Sequence, residues 1–343
     1  MKRICILLYI ACLVGLCGCA AAPASLPSVT PLPLSPVATP APPTPTPDAL
    51  SAQGGVYTFA WISDTQYYSR SYPEIYAAMT AFLRDNAKRL NLAYILHTGD
   101  LVNNYDQEEQ WLAAVRAMSS LARLPYGVLA GNHDVHHDDA NYTNFSAYFG
   151  EAQFAGRPWY GGSYQNNRGH YDLIDADGTQ YIFVFMGYAP DAKALAWLRA
   201  TFAQYPNRVG VLCLHDYLDT DLSLLPTGAQ IYEKVVRRSP NLYMVLCGHR
   251  YNVGCVPAAF DDDGDGAIDR TVYQMIGNYQ AAGDTGGGGY MRFLQIDEQE
   301  GVIRTYSYSP VAEDYTYFDT PEAQAEKYTA DPANESAVYP IPW

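Results

Sequence analysis

From residue 56 onward the chain alternates short apolar runs with amphipathic stretches. Residues 56–63 are β-branched and aromatic and read as a strand ending at Asp64. Residues 73–90 set Ile75, Met79, Phe82 and Leu83 at helical spacing, with Pro73 suited to a first turn. An apolar strand is expected over 92–97, a helix carrying Trp111, Leu112, Val115 and Met118 over 107–124, and a third strand over 126–130. Further strands are expected at 181–186, 209–214 and 242–247, with helices at 192–202 and 229–236. Such alternation builds parallel sheets covered on their faces, so the pattern predicts an α/β domain. The last three strands (271–276, 290–296 and 302–308) have no helices between them, and beyond Pro310 the pattern fades into a polar, aromatic tail.

The first 53 residues follow a different pattern. Lys2 and Arg3 precede an apolar run from Ile4 to Leu16, too short to span a bilayer of about 30 Å. This reads as a signal peptide, and Leu16-Cys17-Gly18-Cys19 resembles the lipobox of bacterial lipoproteins, whose final cysteine is lipidated. An ordinary signal peptide cleaved nearby is the alternative. Residues 1–18 are thus expected as a leader and Cys19 as the lipidation site. The protein is expected to be exported and anchored at the outer face of a bacterial membrane by acyl chains alone. Ten of the 23 prolines lie between Pro23 and Pro47, so 19–53 reads as an extended tether. The domain is expected over 54–320, with 321–343 as its tail.

Composition narrows the picture further. The 343 residues would allow two domains, but the leader and tether leave one large domain, expected to be monomeric. A net charge of -15 argues against a nucleic-acid scaffold, which needs cations against phosphates. Only Cys213, Cys247 and Cys255 fall in the domain, so there is no disulfide framework. Cys213 and Cys247 read as buried thiols, with a bridge between them as the alternative.

Ligands in α/β proteins gather at the carboxyl ends of strands. Five such ends read Asp64-Thr65-Gln66, Gly99-Asp100, Gly131-Asn132-His133-Asp134, His215-Asp216 and Gly248-His249-Arg250. One alone reads as a turn or a structural histidine; five in succession do not. Carboxylate, carboxamide and imidazole without thiolate suit Mn, Fe or Zn rather than a structural cysteine-bound zinc.

These five segments, in this order, resemble the calcineurin-like metallophosphoesterases over about residues 56–310. The resemblance implies a four-layer α/β-β/α sandwich with two divalent ions at the strand ends and a phosphoester substrate. It implies that Asp100 bridges the ions, that Asn132, His215 and His249 complete one half, and that Asp64 belongs to the other. His133 would protonate the leaving oxygen or stabilise the transition state, with Asp134 orienting its ring. Two positions depart from the family. Gln66 stands where Asp-x-His has its histidine, and Tyr251 where Gly-His-x-His has its second. The Asp64 half is therefore expected to be oxygen-rich and to favour a harder cation such as Mn²⁺ or Mg²⁺, with Gln66 offering an amide oxygen and Tyr251 or Asn252 open as ligands. Asn103 stands where purple acid phosphatases carry a tyrosine, which sets that branch aside.

Other features are weaker. Asp261, Asp263, Asp265 and Asp269 with Gly266 match the front of an EF-hand loop, but Val272 replaces the closing glutamate. Either a structural Ca²⁺ site or an acidic hairpin turn fits. His136 and His137 read as loop residues or as substrate-facing groups. Arg250 reads as a phosphate clamp or a surface ion-pair partner. The functional expectation is metal-dependent phosphoester hydrolysis, monoester or diester. The alternative is a non-catalytic binding lipoprotein on the same fold with one degenerate metal half.

Overall fold

The computed structural model describes residues 55–136, 138–324 and 330–343. The expected leader 1–18, Cys19, the tether up to residue 53 and His137 lie outside the described residues.

Two mixed sheets form the domain. The first has strand order β13-β12-β11-β1-β2-β3, from β1 (Val56–Ile62), β2 (Leu92–His97), β3 (Tyr126–Val128), β11 (Met291–Asp297), β12 (Val302–Tyr308) and β13 (Ala337–Pro340). The second has order β4-β5-β6-β7-β8-β10-β9, from β4 (Tyr160–Tyr164), β5 (Gly169–Ala176), β6 (Thr179–Met186), β7 (Val209–Leu214), β8 (Leu242–Cys247), β9 (Val253–Phe260) and β10 (Arg270–Gly277). Parallel pairing is confined to the centres, β1-β2-β3 in one sheet and β6-β7-β8-β10 in the other. The flanking strands are antiparallel: β5-β6, β9-β10 and β11-β12 are consecutive strands joined without a crossover helix, and β11 returns to lie antiparallel beside β1.

Side-chain alternation assigns each strand face. Tyr57, Phe59 and Trp61 of β1 pack with Phe183, Phe185, Val211 and Leu246 between the sheets. The opposite face, Ala60 and Ile62, packs on α1 (Gln66–Ser71), α2 (Pro73–Asn86), α3 (Glu108–Ser119) and α4 (Thr143–Phe149) through Tyr76, Met79, Trp111 and Phe145. On the second sheet Leu212 and Val245 pack on α5 (Ala192–Gln204) and α6 (Pro226–Lys234) through Leu198 and Ile231. Helix, sheet, sheet, helix is the four-layer order expected. Because the central strands are covered on both faces, β7 is buried at every position.

Local contacts decide two points of the sequence reading. Cys213 faces the inter-sheet core and Cys247 the helical side of the sheet, so the alternative disulfide is ruled out; both are free thiols. Residues 321–343, read as a tail, supply β13, which pairs with β12 from Val302↔Pro340 to Thr305↔Ala337. Buried Glu335 anchors this segment: its carboxylate accepts from the Tyr317 and Phe318 amides and the Tyr279 hydroxyl.

Candidate metal centre

The central strands of both sheets end at one edge, where the polar residues that stop each apolar run converge. Asp64 follows β1, Asp100 follows β2, Asn132 follows β3, His215 follows β7 and His249 follows β8. Asp64, Asp100 and His249 all adopt left-handed backbone conformations, with φ of 54°, 57° and 70°. Non-glycine residues pay about 1 kcal/mol or more for this, so three together mark a site held by its surroundings. The glycines are steric requirements. A Cβ on Gly131 would collide with Asp100 Oδ1, and one on Gly248 with Ser63 Oγ and Asp64 Oδ2.

One group of donors centres on His215. Its Nδ1 lies 2.9 Å from the Thr98 carbonyl, which accepts the ring proton there. The other nitrogen, Nε2, then points at Asn132 Oδ1 at 2.9 Å and Asp100 Oδ1 at 3.3 Å. A lone pair facing two oxygens is repulsive unless a proton or a cation lies between them. Burial alone would lower the His215 pKa, yet the Asp100 carboxylate overrides it and raises the ring to about 10. The ring thus behaves as a cation where a metal ion would sit. The His249 ring lies 4.9 Å from that of His215, centroid to centroid. Burial lowers its pKa to about 3, which keeps its lone pair available for a metal.

The other group of donors is oxygen only. Asp64 is buried, accepts from Ser63 Oγ, and accepts from the His249 backbone amide at 3.2 Å. Behind it runs a chain of hydroxyls: Trp61 Nε1 donates to Thr98 Oγ1 at 2.9 Å, which donates to Ser63 Oγ at 2.6 Å. Burial pushes Asp64 up to about 7, a cost that a cation would remove. Gln66 donates its amide nitrogen to Asp100 Oδ2 at 2.9 Å, leaving its own Oε1 buried and unpartnered. An orphaned buried acceptor beside two carboxylates fits a ligand to a hard cation. Ligand atoms of Asp64, Asp100 and His215 all lie within 4.8 Å of one another. Both halves of the centre therefore fit divalent ions.

Other candidates separate. Asn252 is committed elsewhere: its amide donates to the Thr220 carbonyl at 2.6 Å and its oxygen accepts from Val253 N at 2.7 Å. Tyr251 is half-buried at the position of the missing histidine. Asp134, expected to orient the His133 ring, is fully buried and accepts from three backbone amides, Gly131, Leu101 and Val102, at 2.8, 3.1 and 2.9 Å. It clamps the two ligand loops together, and the carbonyl of Asn103, 2.8 Å from His133 Nδ1, holds the ring. Sequence patterns could not show that partner, because any residue supplies a backbone carbonyl. Asp216, quoted with His215 at its strand end but given no role there, brings its carboxylate to 3.8 Å from His249 Nε2.

Arg250 is exposed and lies 3.7 Å from Asp219, and His136 contacts Asp139 at 2.9 Å on an exposed loop. Asp261, Asp263 and Asp265 bring ligand atoms within 4.8 Å of one another on the exposed turn between β9 and β10. Asp269, expected to join them, instead accepts from the amides of Asp262 and Asp263 at 2.6 and 3.3 Å, bracing the turn from within.

The calcineurin-like phosphoesterase profile matches residues 57–252, which contain every proposed ligand. The chain belongs to that family. Its members are hydrolases of phosphoesters built around a dinuclear divalent metal site. Uncharacterized protein YvnB of Bacillus subtilis (strain 168) is 44% identical over 275 residues, 80% of this chain and 21% of that protein. The chain thus spans about a fifth of that relative's length. A Moraxella catarrhalis (strain BBH18) protein named as a probable cyclic nucleotide phosphodiesterase is 25% identical over 250 residues, 64% of this chain and 80% of that one. Purple acid phosphatase PPD1 from yellow lupin (Lupinus luteus) seeds shares the fold at TM-score 0.51 and 10% identity, over 79% of this chain and 54% of its own.

Proposed function

We propose that the chain hydrolyses a phosphoester at this centre. The observation that carries the reading is that His215 Nε2 faces Asn132 Oδ1 at 2.9 Å and Asp100 Oδ1 at 3.3 Å, three ligand atoms brought to one point. Two divalent ions bound there supply Lewis acidity at phosphorus and a water acidified toward neutral pH. Asp100 belongs to both halves, one oxygen facing His215 and the other held by Gln66. His133, fixed through Nδ1 by the Asn103 carbonyl, uses Nε2 to pass a proton to the leaving oxygen. Asp64, Gln66 and Asp100 make the second half oxygen-only, which favours Mn²⁺ or Mg²⁺ over zinc there.

The name of the Moraxella relative, a probable cyclic nucleotide phosphodiesterase, supports a phosphodiester as first choice of substrate. We further propose that Cys19 is lipidated and that residues 19–53 hold the domain at the outer face of a bacterial membrane; the sequence Leu16-Cys17-Gly18-Cys19 supports this. Radiolabelled palmitate incorporated by the parent but not by Cys19→Ala would test it.

The activity test uses the full chain reconstituted with Mn²⁺ and bis(4-nitrophenyl) phosphate. Asn132→Ala and His133→Ala should each lower turnover at least a hundredfold, in the range of a lost catalytic group. Undiminished turnover in both rejects the mechanism. One tightly held ion with no turnover of any phosphoester would favour the binding-only reading that Gln66 and Tyr251 keep in play.

A further inference from the structure

Ser63 and Thr98 lie just beyond the paired ends of β1 and β2, where Ile62 stands opposite His97. Two backbone hydrogen bonds carry the pairing past the strands. Thr98 N donates to the Ile62 carbonyl and Asp64 N to the Gly99 carbonyl, both at 3.0 Å. Trp61 of β1 and Leu96 of β2 face the inter-sheet core, and alternation continues that face to Ser63 and Thr98. Gly277, on the facing strand β10, leaves room for the indole: a Cβ there would come 3.0 Å from Trp61 Cη2. Gly248 closes over the other end, where a Cβ would collide with Ser63 Oγ and Asp64 Oδ2 and stand 3.3 Å from Thr98 Oγ1.

The chain of polar groups so enclosed has a direction. An indole N–H only donates, so Thr98 Oγ1 accepts from Trp61 Nε1. The Thr98 hydroxyl has one proton, and Ser63 Oγ at 2.6 Å accepts it. Ser63 then turns its own proton onto Asp64 Oδ2. In the reverse direction the proton of Thr98, which is fully buried, would have no acceptor among the described residues. Asp64 Oδ2 thus takes a hydroxyl proton, whereas Oδ1 takes only the His249 amide, which lies 3.2 Å from both oxygens. Thr98 also serves the other half of the centre, through its backbone: the carbonyl accepts from His215 Nδ1 at 2.9 Å. Hydroxyl and carbonyl of one residue therefore address different halves.

We infer that Thr98 and Ser63 are positioning residues for the cation of the Asp64 half: the chain that starts at the Trp61 indole fixes the Asp64 carboxylate and leaves Oδ1 for the ion. Neither hydroxyl touches the ion or the phosphoester. Loss of the Thr98 hydroxyl loosens the Asp64 half and spares the His215 half, because the carbonyl stays in place. The inference rests on the two-ion reading above and is independent of which phosphoester is cleaved.

Mn²⁺ titrated into the metal-free full chain, with free Mn²⁺ read by electron paramagnetic resonance, tests it. The parent should bind two ions, and Asp64→Asn identifies which affinity belongs to the Asp64 half. Thr98→Val and Ser63→Ala should each weaken that ion by about tenfold or more and leave the other within about twofold. Thr98→Ser, which restores the hydroxyl, should bind both ions like the parent. The double variant should be no weaker than either single, because the chain acts as a unit. Both ions weakened alike in Thr98→Val, or neither, overturns the inference. So does Thr98→Ser binding as weakly as Thr98→Val, or a double variant whose loss is the product of the single losses. A parent that binds fewer than two ions overturns it together with the two-ion reading. Selective loss in a chain that turns over no phosphoester would reject only the catalytic reading.

Discussion

Gln66 Nε2 donates to Asp100 Oδ2 at 2.9 Å, so an amide braces the carboxylate that both halves of the centre share. The same side chain leaves Oε1 for a cation. It therefore does two things that an imidazole at this position could not do together: it fixes Asp100 through a donor and presents a neutral hard oxygen. Gln66→His should raise zinc affinity at the Asp64 half by tenfold or more and reduce discrimination in favour of Mn²⁺. Metal content after dialysis, measured by mass spectrometry, checks this; an unchanged zinc content would show that Gln66 is no ligand.

Asp134 ties the Leu101–Val102 backbone to the Gly131 turn through three amide hydrogen bonds. Asn at this position keeps one acceptor and turns an NH₂ toward amide donors. Asp134→Asn should cost about 2–4 kcal/mol of stability. It should also weaken metal binding, because Asp100 and Asn132 sit on the two tied segments. Urea unfolding of the apo-protein and metal titration read the two effects separately.

His170 offers a pH test away from the metal ligands. It is fully buried, stacked on Phe185 at 4.4 Å, and both ring nitrogens lack hydrogen-bond partners. Burial lowers its pKa to about 3, against about 6.5 in the unfolded chain. Between those values the unfolded state binds a proton that the folded state does not, so this term falls as pH drops below about 6.5. Asp172, 3.8 Å away, is shifted upward by burial and carries the opposite term, so the parent alone would hide the effect. Comparison with His170→Phe isolates it. From pH 7 to pH 5 the variant should gain about 2 kcal/mol relative to the parent. A constant difference would mean that the ring is protonated in the fold.

Glu335 should be the hinge of C-terminal attachment. Glu335→Ala removes the acceptor for the Tyr317 and Phe318 amides and the Tyr279 hydroxyl, at an expected cost of about 3 kcal/mol. Hydrogen exchange should accelerate first in β13 and β12, before the parallel strands of the same sheet respond.

Much of this was legible in the sequence, for a physical reason. Strands buried on both faces are uninterrupted apolar runs, so β2, β7 and β8 begin and end where the runs do. The polar residue that ends such a run is also the one presented to a ligand, which made Asp64, Asp100, Asn132, His215 and His249 readable together. What escaped was built from non-local or backbone contacts. α1 is six residues of mixed polarity stabilised by the Gly289 and Leu101 backbone, and β4 and β5 lie in a glycine- and asparagine-rich stretch without apolar alternation. The role of Asp134 depends on amides more than 30 residues away. No local pattern encodes such partners.

The left-handed backbones at Asp64, Asp100 and His249 carry a consequence for how this centre persists through mutation. Each is a position where glycine would relax the chain, so a drift toward greater thermal robustness would favour losing the side chains that define the centre. A scaffold relieved of its chemistry would have every thermodynamic incentive to make those replacements. Three acids and imidazoles standing where glycine would be more comfortable are the signature of a fold still working against its own stability optimum.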